Sequence, residues 1–277
     1  MSRRFAQVDV FGSEPISGNP VAVVVDADGI TDEQMAAFAR WTNLSETTFV
    51  LPATDPAADY RLRIWTPGGE LPFAGHPTLG SASAWLQAGG TAAGEHIVQE
   101  CGIGLVRIRR DGARLAFAAP PLTRTGPVED ATRAEVIAAL GLHGEQVLDA
   151  EWVVNGPQWM ALRLDSAQRV LDVRPDFAAL GDREVGLVGA YPDGPDTPAF
   201  EVRAFAPGVG VNEDPVTGSL NAGLAVWLRR AGLAPDSYVA AQGSALRRAG
   251  RIHVLDDGAD IWIGGLSATV IAGTVEL

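Results

Sequence analysis

The sequence predicts an α+β protein built from two similar halves, each with several short strands and one enclosed helix. Three observations predict it. At 277 residues the chain is long for one compact core and suits two domains of about 140 residues each. Segments recur at half its length. Gly18-Asn19-Pro20, opening Val21 to Val25, resembles Asn155-Gly156-Pro157, opening Gln158 to Leu164. Arg63-Ile64-Trp65-Thr66-Pro67 resembles Arg203-Ala204-Phe205-Ala206-Pro207, and His76-Pro77-Thr78-Leu79-Gly80-Ser81-Ala82 resembles Asp214-Pro215-Val216-Thr217-Gly218-Ser219-Leu220, at offsets of 137, 140 and 138 residues. Finally, each half has strand patterns around one Ala/Gly-rich segment that is apolar on nearly every side.

Phe5 to Phe11 and Pro20 to Asp26 read as strands joined by a Gly/Pro/Ser/Asn turn. Thr31 with Gln34 makes an N-cap signal for a helix through Trp41, with Met35, Phe38, Ala39 and Trp41 on its inner face. Thr47 to Leu51 and Tyr60 to Thr66 are strands, the second alternating Leu62 and Ile64 with Arg61 and Arg63. Thr78 to Gln87 and Thr217 to Arg229 are the enclosed helices. Each is followed by strands, Glu95 to Arg110 and Arg114 to Ala118 in the first half, then Tyr238 to Ala241, Arg251 to Leu255, Ile261 to Ile263 and Thr269 to Val275. Pro120 to Pro127 interrupts regular structure. It divides the chain into residues 1–122, for which the C-terminal strand is a candidate completion, and 123–277, with a helix at Thr132 to Leu140 assignable to either half.

Composition narrows the chemistry. All 21 basic residues are Arg, which excludes a pyridoxal Schiff base, a lysine-dependent aldolase and a Walker A loop. A net charge of −13 has the wrong sign for nucleic acid or an anionic membrane surface, so the expected partner is a small molecule. The single cysteine, Cys101, permits no intramolecular disulfide, CxxC pair or cysteine-rich metal site. No signal-peptide core and no apolar run of about 18 residues is present, so cytoplasmic residence is the expectation.

The turns entering the two enclosed helices are the sharpest local features. Phe73 to Thr78 and Gly210 to Ser219 would present free backbone amides at helix starts, with a proline in the first turn, where a ligand carboxylate is held without Lys or Arg. Ordinary N-caps are the competing reading. At the 138-residue offset His76 and Asp214 are counterparts, placed to handle protons if the halves face each other, or else a buried imidazole and a plain cap. Glu46, between a helix end and an apolar strand, would become a general base if partly desolvated, and a solvated loop residue otherwise. Its counterpart Glu184 follows Asp182 and Arg183 and reads as a solvated turn. His96, His143 and His253 show no metal spacing, no GxGxxG is completed and Ser81 lacks a nucleophile elbow. No metal or cofactor is therefore expected.

Ser17-Gly18-Asn19-Pro20-Val21-Ala22-Val23, Asn43-Leu44-Ser45-Glu46-Thr47-Thr48-Phe49, Phe73 to Gly80 and Asp214 to Ser219, in this order, resemble the phenazine-biosynthesis PhzF-like isomerase family. The resemblance implies two pseudo-symmetric diaminopimelate epimerase-like domains, each a β-barrel-like sheet around a central helix, with the site between them and a homodimeric assembly. It makes Glu46 the general acid/base, with His76 and Asp214 beside it and Gly75, Gly218 and Ser219 around a small carboxylate-bearing substrate. It implies isomerisation by proton transfer without metal or organic cofactor. The related two-thiol racemases need a pair of opposed cysteines that this chain lacks. A cysteine-dependent reaction would require Cys101 in the cleft, and a non-catalytic small-anion binding or protein-interaction module is the reading from a different class.

Overall fold

The computed structural model describes residues 1–277. The first half runs β1 (Ser2–Val10), β2 (Asn19–Val24), α1 (Asp32–Thr42), β3 (Glu46–Leu51), β4 (Tyr60–Thr66), β5 (Gly69–Leu71), α2 (Gly75–Gln87), β6 (Ile97–Cys101), β7 (Gly104–Asp111) and β8 (Arg114–Ala118). The second runs α3 (Asp130–Ala139), β9 (Val147–Trp152), β10 (Met160–Leu164), α4 (Ala167–Asp172), α5 (Phe177–Leu180), β11 (Val185–Ala190), β12 (Phe200–Ala206), β13 (Val211–Asp214), α6 (Gly218–Arg230), β14 (Ser237–Gln242), β15 (Gly250–Asp256) and β16 (Ile261–Gly265), and β17 (Ser267–Glu276) closes the chain.

The strand pairings repeat. β1 to β8 pair antiparallel β1–β2, parallel β2–β3, antiparallel β3–β4 and β4–β5, parallel β4–β6, then antiparallel β6–β7 and β7–β8. β9 to β16 follow the same succession, β9–β10, β10–β11, β11–β12, β12–β13, β12–β14, β14–β15 and β15–β16. The register also repeats. Thr47 faces Trp65 where Val185 faces Phe205, and Ala22 faces Thr47 where Met160 faces Val185. β8 and β16 join the halves, while β17 returns to pair antiparallel with β1.

The sequence explains why the helices differ. In α1, Thr31 and Gln34 form a capping box and Met35, Phe38 and Ala39 face inward. Trp41, expected inside, is 80% exposed and only stacks on Phe38, because a residue three on from Phe38 lies at the margin of a stripe that is narrow on a helix covering one sheet face. In α2 everything from Gly75 to Ala84 is buried, and in α6 everything from Gly218 to Ala225. Small residues on all faces let a helix fit inside a curved sheet: a Cβ at Gly80 would meet Val21 at 2.4 Å and one at Gly223 would meet the Val153 carbonyl at 2.7 Å. The two helices approach end to end, and a Cβ on Gly75 would lie 2.6 Å from the Gly218 Cα. A core of 42 residues from both halves surrounds this crossing.

That crossing corrects one expectation. The helices begin at Gly75 and Gly218, 143 residues apart, so Gly75 matches Gly218 and His76 matches Ser219. His76 lies in the first turn of α2, whereas Asp214 ends β13 and Pro215 precedes α6. A 3₁₀ turn at Pro207–Val209 and the four-residue β13 lengthen this connection in the second half relative to the first, which breaks the 138-residue register between Glu184 and α6.

Candidate active site

The two helix starts and the strands beside them enclose a narrow cleft lined by Ser45, Glu46, Thr66, Ala74, Trp159, Glu184, Asp214, Thr217 and Ser219, with Leu71, Pro157, Ala206, Val209 and Val211 as apolar walls. Its free volume of about 40 Å³ is room for a few water molecules. A ring enters only if the walls separate.

Glu46 opens β3, held by Val21 on one side. Its Oε2 is wholly buried with no hydrogen-bond partner, and His76 Nε2, itself buried and without a partner, lies 3.5 Å from it. Burial and, second, the charge of Asp214 hold the Glu46 carboxyl well above the usual carboxylate range. Burial drives His76 the other way, down to about 3, so its ring is neutral. Its Nδ1 lies 3.3 Å from the Asn19 side-chain amide nitrogen, and Nε2, without a partner, faces Glu46. A single hydrogen between Glu46 Oε2 and His76 Nε2 therefore converts two orphan atoms into a donor and an acceptor.

Asp214 is buried as well and is raised to about 6, by burial before anything else. Its oxygens accept from Asn19 Nδ2 at 2.8 Å and the Thr217 hydroxyl at 2.6 Å, and Ser45 also bonds it. Asn19 reaches it from the other half because Asp9 accepts from the Ser17 and Gly18 amides and Arg248 donates to the Ile16 and Gly18 carbonyls, pinning the loop before β2. Gly18 is required there, since a Cβ would lie 2.1 Å from the Val10 carbonyl oxygen. On the far side Gln242, fully buried, accepts from the Thr217 amide at 3.0 Å and donates to the Thr217 hydroxyl at 2.9 Å.

Neither enclosed helix has a side-chain N-cap: Ala74 and Thr217 occupy the cap positions without such a bond, and both line the cleft. Helix starts ordinarily recruit a side-chain acceptor for their free amides, so these ends are open to an anion. Ser219 adds a donor. Its Oγ accepts from Trp159 Nε1 at 3.0 Å, so its own hydroxyl hydrogen is directed elsewhere, and the residue faces the cleft.

The structure thus brings Glu46, His76 and Asp214 together, with Ser219 opposite. Gly75 and Gly218 do not line the cleft; they pack against each other. Cys101 does not line this cleft; it lies in another groove with Arg61, Arg63 and Glu100. Glu184 is not a solvated turn: it is half-buried on the cleft wall, and burial raises its carboxyl. Trp159, Thr217 and Ser45 were also missed, although Asn19 and Ser45 sit inside motifs the sequence displays. No group of three or more His, Cys, Asp or Glu side chains converges as a metal site, and no helix is long and apolar enough to cross a membrane.

Comparison with known proteins identifies the family. The family model described as phenazine biosynthesis-like protein (PhzC-PhzF) matches residues 8–273. The chain is 38% identical to antisense-enhancing sequence 1 of Schizosaccharomyces pombe, over 97% of each chain. It is 37% identical to the trans-2,3-dihydro-3-hydroxyanthranilate isomerase of Pseudomonas aeruginosa, over 92% of this chain and 91% of that one. A solved structure described as a predicted epimerase from Pseudomonas aeruginosa superposes with a TM-score of 0.82 at 28% identity, covering 99% of both chains. The duplicated fold is of the diaminopimelate epimerase type expected from the sequence. With its cleft between two uncapped helix starts and its family model spanning nearly the whole chain, the protein belongs to the phenazine biosynthesis-like (PhzF) family and is an isomerase.

Proposed function

We propose that Glu46 is the single acid/base of this isomerase and that the substrate is a small molecule bearing a carboxylate. The observation that carries the reading is the Glu46 carboxyl itself, buried, without a hydrogen-bond donor, and at the cleft wall. Raised proton affinity suits a group that removes a proton from carbon and returns it to another carbon of the same delocalised anion, shifting the double bond. His76 and Asp214 act through Glu46. The charge of Asp214 keeps Glu46 basic, and the neutral imidazole faces the oxygen that holds the proton between its removal and its return. The uncapped starts of α2 and α6 and the Ser219 hydroxyl supply donors for the substrate carboxylate and for charge developing on the conjugated system. The chemistry named for the Pseudomonas relative, isomerisation of a dihydro-hydroxyanthranilate, is of this type.

Glu46→Gln keeps the shape of the side chain and removes the transferable proton. Incubated in deuterium oxide with trans-2,3-dihydro-3-hydroxyanthranilate and related cyclic carboxylates, the native protein is expected to wash deuterium into carbon, and the variant to lose this by about 10²–10⁴-fold at unchanged melting temperature. Native-like exchange in the variant sinks the assignment, and binding without exchange in the native protein makes the cleft a non-catalytic anion site. A homodimer is part of the same proposal. β17 pairs only with β1 and carries exposed Val270 and Ile271 along an unpaired edge, a surface suited to a second copy.

A further inference from the structure

Glu184 occupies, in the second half, the place that Glu46 occupies in the first. Glu46 is the residue before Thr47, which faces Trp65 across β3–β4; Glu184 is the residue before Val185, which faces Phe205 across β11–β12. Both line the one cleft. Their surroundings differ. Glu46 has no donor, whereas one Glu184 oxygen, Oε2, accepts from the Gln158 amide, a bond that favours the ionised form. Oε1 makes no recorded hydrogen bond, and Glu184 forms no salt bridge. Arg124 and Arg183 share a second pocket with Glu184, outside the cleft lining, and both are paired with other carboxylates, Arg183 with Glu135 and Arg124 with Glu129. No Arg or His lines the cleft. Within the cleft, then, Glu184 is a carboxylate with no salt bridge and no Arg or His in the lining beside it, in the same space as two helix starts suited to a carboxylate.

We propose that Glu184 is a specificity-determining residue that pairs with a protonated amine on the substrate, so that the cleft selects rings carrying both a carboxylate and an ammonium group over rings carrying a carboxylate alone. The inference rests on the carboxylate reading above and adds the second recognition element. An anion in a partly desolvated cleft is stabilised by a cation brought by the ligand and opposes a ligand that brings only negative charge. Proton transfer stays with Glu46, whose carboxyl has no competing donor.

The test uses two probes that share ring and carboxylate, 2-aminocyclohexanecarboxylate and cyclohexanecarboxylate, titrated calorimetrically into the intact protein and into Glu184→Gln, with melting temperature as the check on folding. The native protein is expected to bind the amino compound about tenfold more tightly, and Glu184→Gln to erase that preference while binding cyclohexanecarboxylate at least as well as the native protein does. Glu184→Asp, which keeps the charge, is expected to retain part of the preference even if the Gln variant folds poorly. Equal binding of both probes by the native protein, or an undiminished preference in Glu184→Gln, overturns the inference alone. Loss of deuterium exchange in Glu184→Gln with the preference intact overturns it in favour of an acid/base role. Failure of the native protein to bind either ring counts against the carboxylate site itself, and the inference falls with it.

Discussion

The two halves share one strand order and one register, yet they bring unlike groups to the cleft. The first half supplies a carboxyl with no hydrogen-bond donor and a neutral imidazole; the second supplies Asp214, wrapped by Asn19, Thr217 and Ser45, together with the Ser219 hydroxyl and Glu184. Duplication accounts for the scaffold, because a strand pairing that buries a small-residue helix once will do so again. It does not account for the chemistry. At equivalent positions, a glutamate left without a donor is pushed toward the proton-holding state, and one given the Gln158 amide stays closer to an ordinary carboxylate.

The sharpest way to break this comparison is to exchange the roles. Glu46→Gln should cost about 10²–10⁴-fold in proton exchange, whereas Glu184→Gln should change substrate preference by about tenfold and leave exchange largely in place on a substrate without an amine. Comparable losses of exchange from both variants would mean that the halves act symmetrically. Next comes the crossing of the helices. Gly75→Ala forces a Cβ to 2.6 Å from the Gly218 Cα, and is expected to destabilise by about 3 kcal/mol, the upper end for overpacking. Gly273→Ala, with nothing near its added Cβ, is the control. Denaturant midpoints measure both, and near-neutral Gly75→Ala would show that the two walls are not locked together there.

Acidity separates the halves further. His76 is held down to about 3, so the unfolded chain binds the extra proton between 6.5 and that value. The stability His76 confers is fully present above pH 6.5 and is lost as pH falls toward 3. Asp214, raised from 3.8 to about 6, acts oppositely, since the folded chain keeps its proton and stability falls as pH rises between those values. His76→Asn removes the first effect and leaves those of the buried carboxyls in place. Urea midpoints of this variant, relative to the native protein, should improve between pH 6.5 and 4.5, and an unchanged difference would refute the neutral buried imidazole. The smallest effect is expected of Ser219→Ala, which leaves the Trp159 indole N–H without its acceptor and should cost about 1–2 kcal/mol in stability, with KM rising more than kcat falls.

Much of the fold was legible because hydrophobic patterning is local. The capping box at Thr31 and Gln34, the alternation in β4 and the all-round small residues of α2 each specify their element without reference to the rest of the chain. Within the cleft, Glu46, His76 and Asp214 could be read from motifs. The supposed equivalence of His76 with Asp214 could not survive, since similar letters 138 apart conceal helix starts 143 apart. Trp41 was misplaced for a related reason: helical spacing gives an angle around the axis, and the width of the partner surface decides whether that angle is covered.

By itself the sequence determined a duplicated α+β chain, two enclosed helices and a chemistry without lysine or paired thiols. Only the tertiary structure decided which polar atoms would lack partners. Glu46 and Glu184 are the same residue type in the same register, and their difference comes from whether a backbone amide from a distant turn reaches the carboxyl. Proton affinity in a buried cleft depends on desolvation and on donors within a few ångströms, and those distances are set by how β2, β3, β11 and the two helix ends are packed.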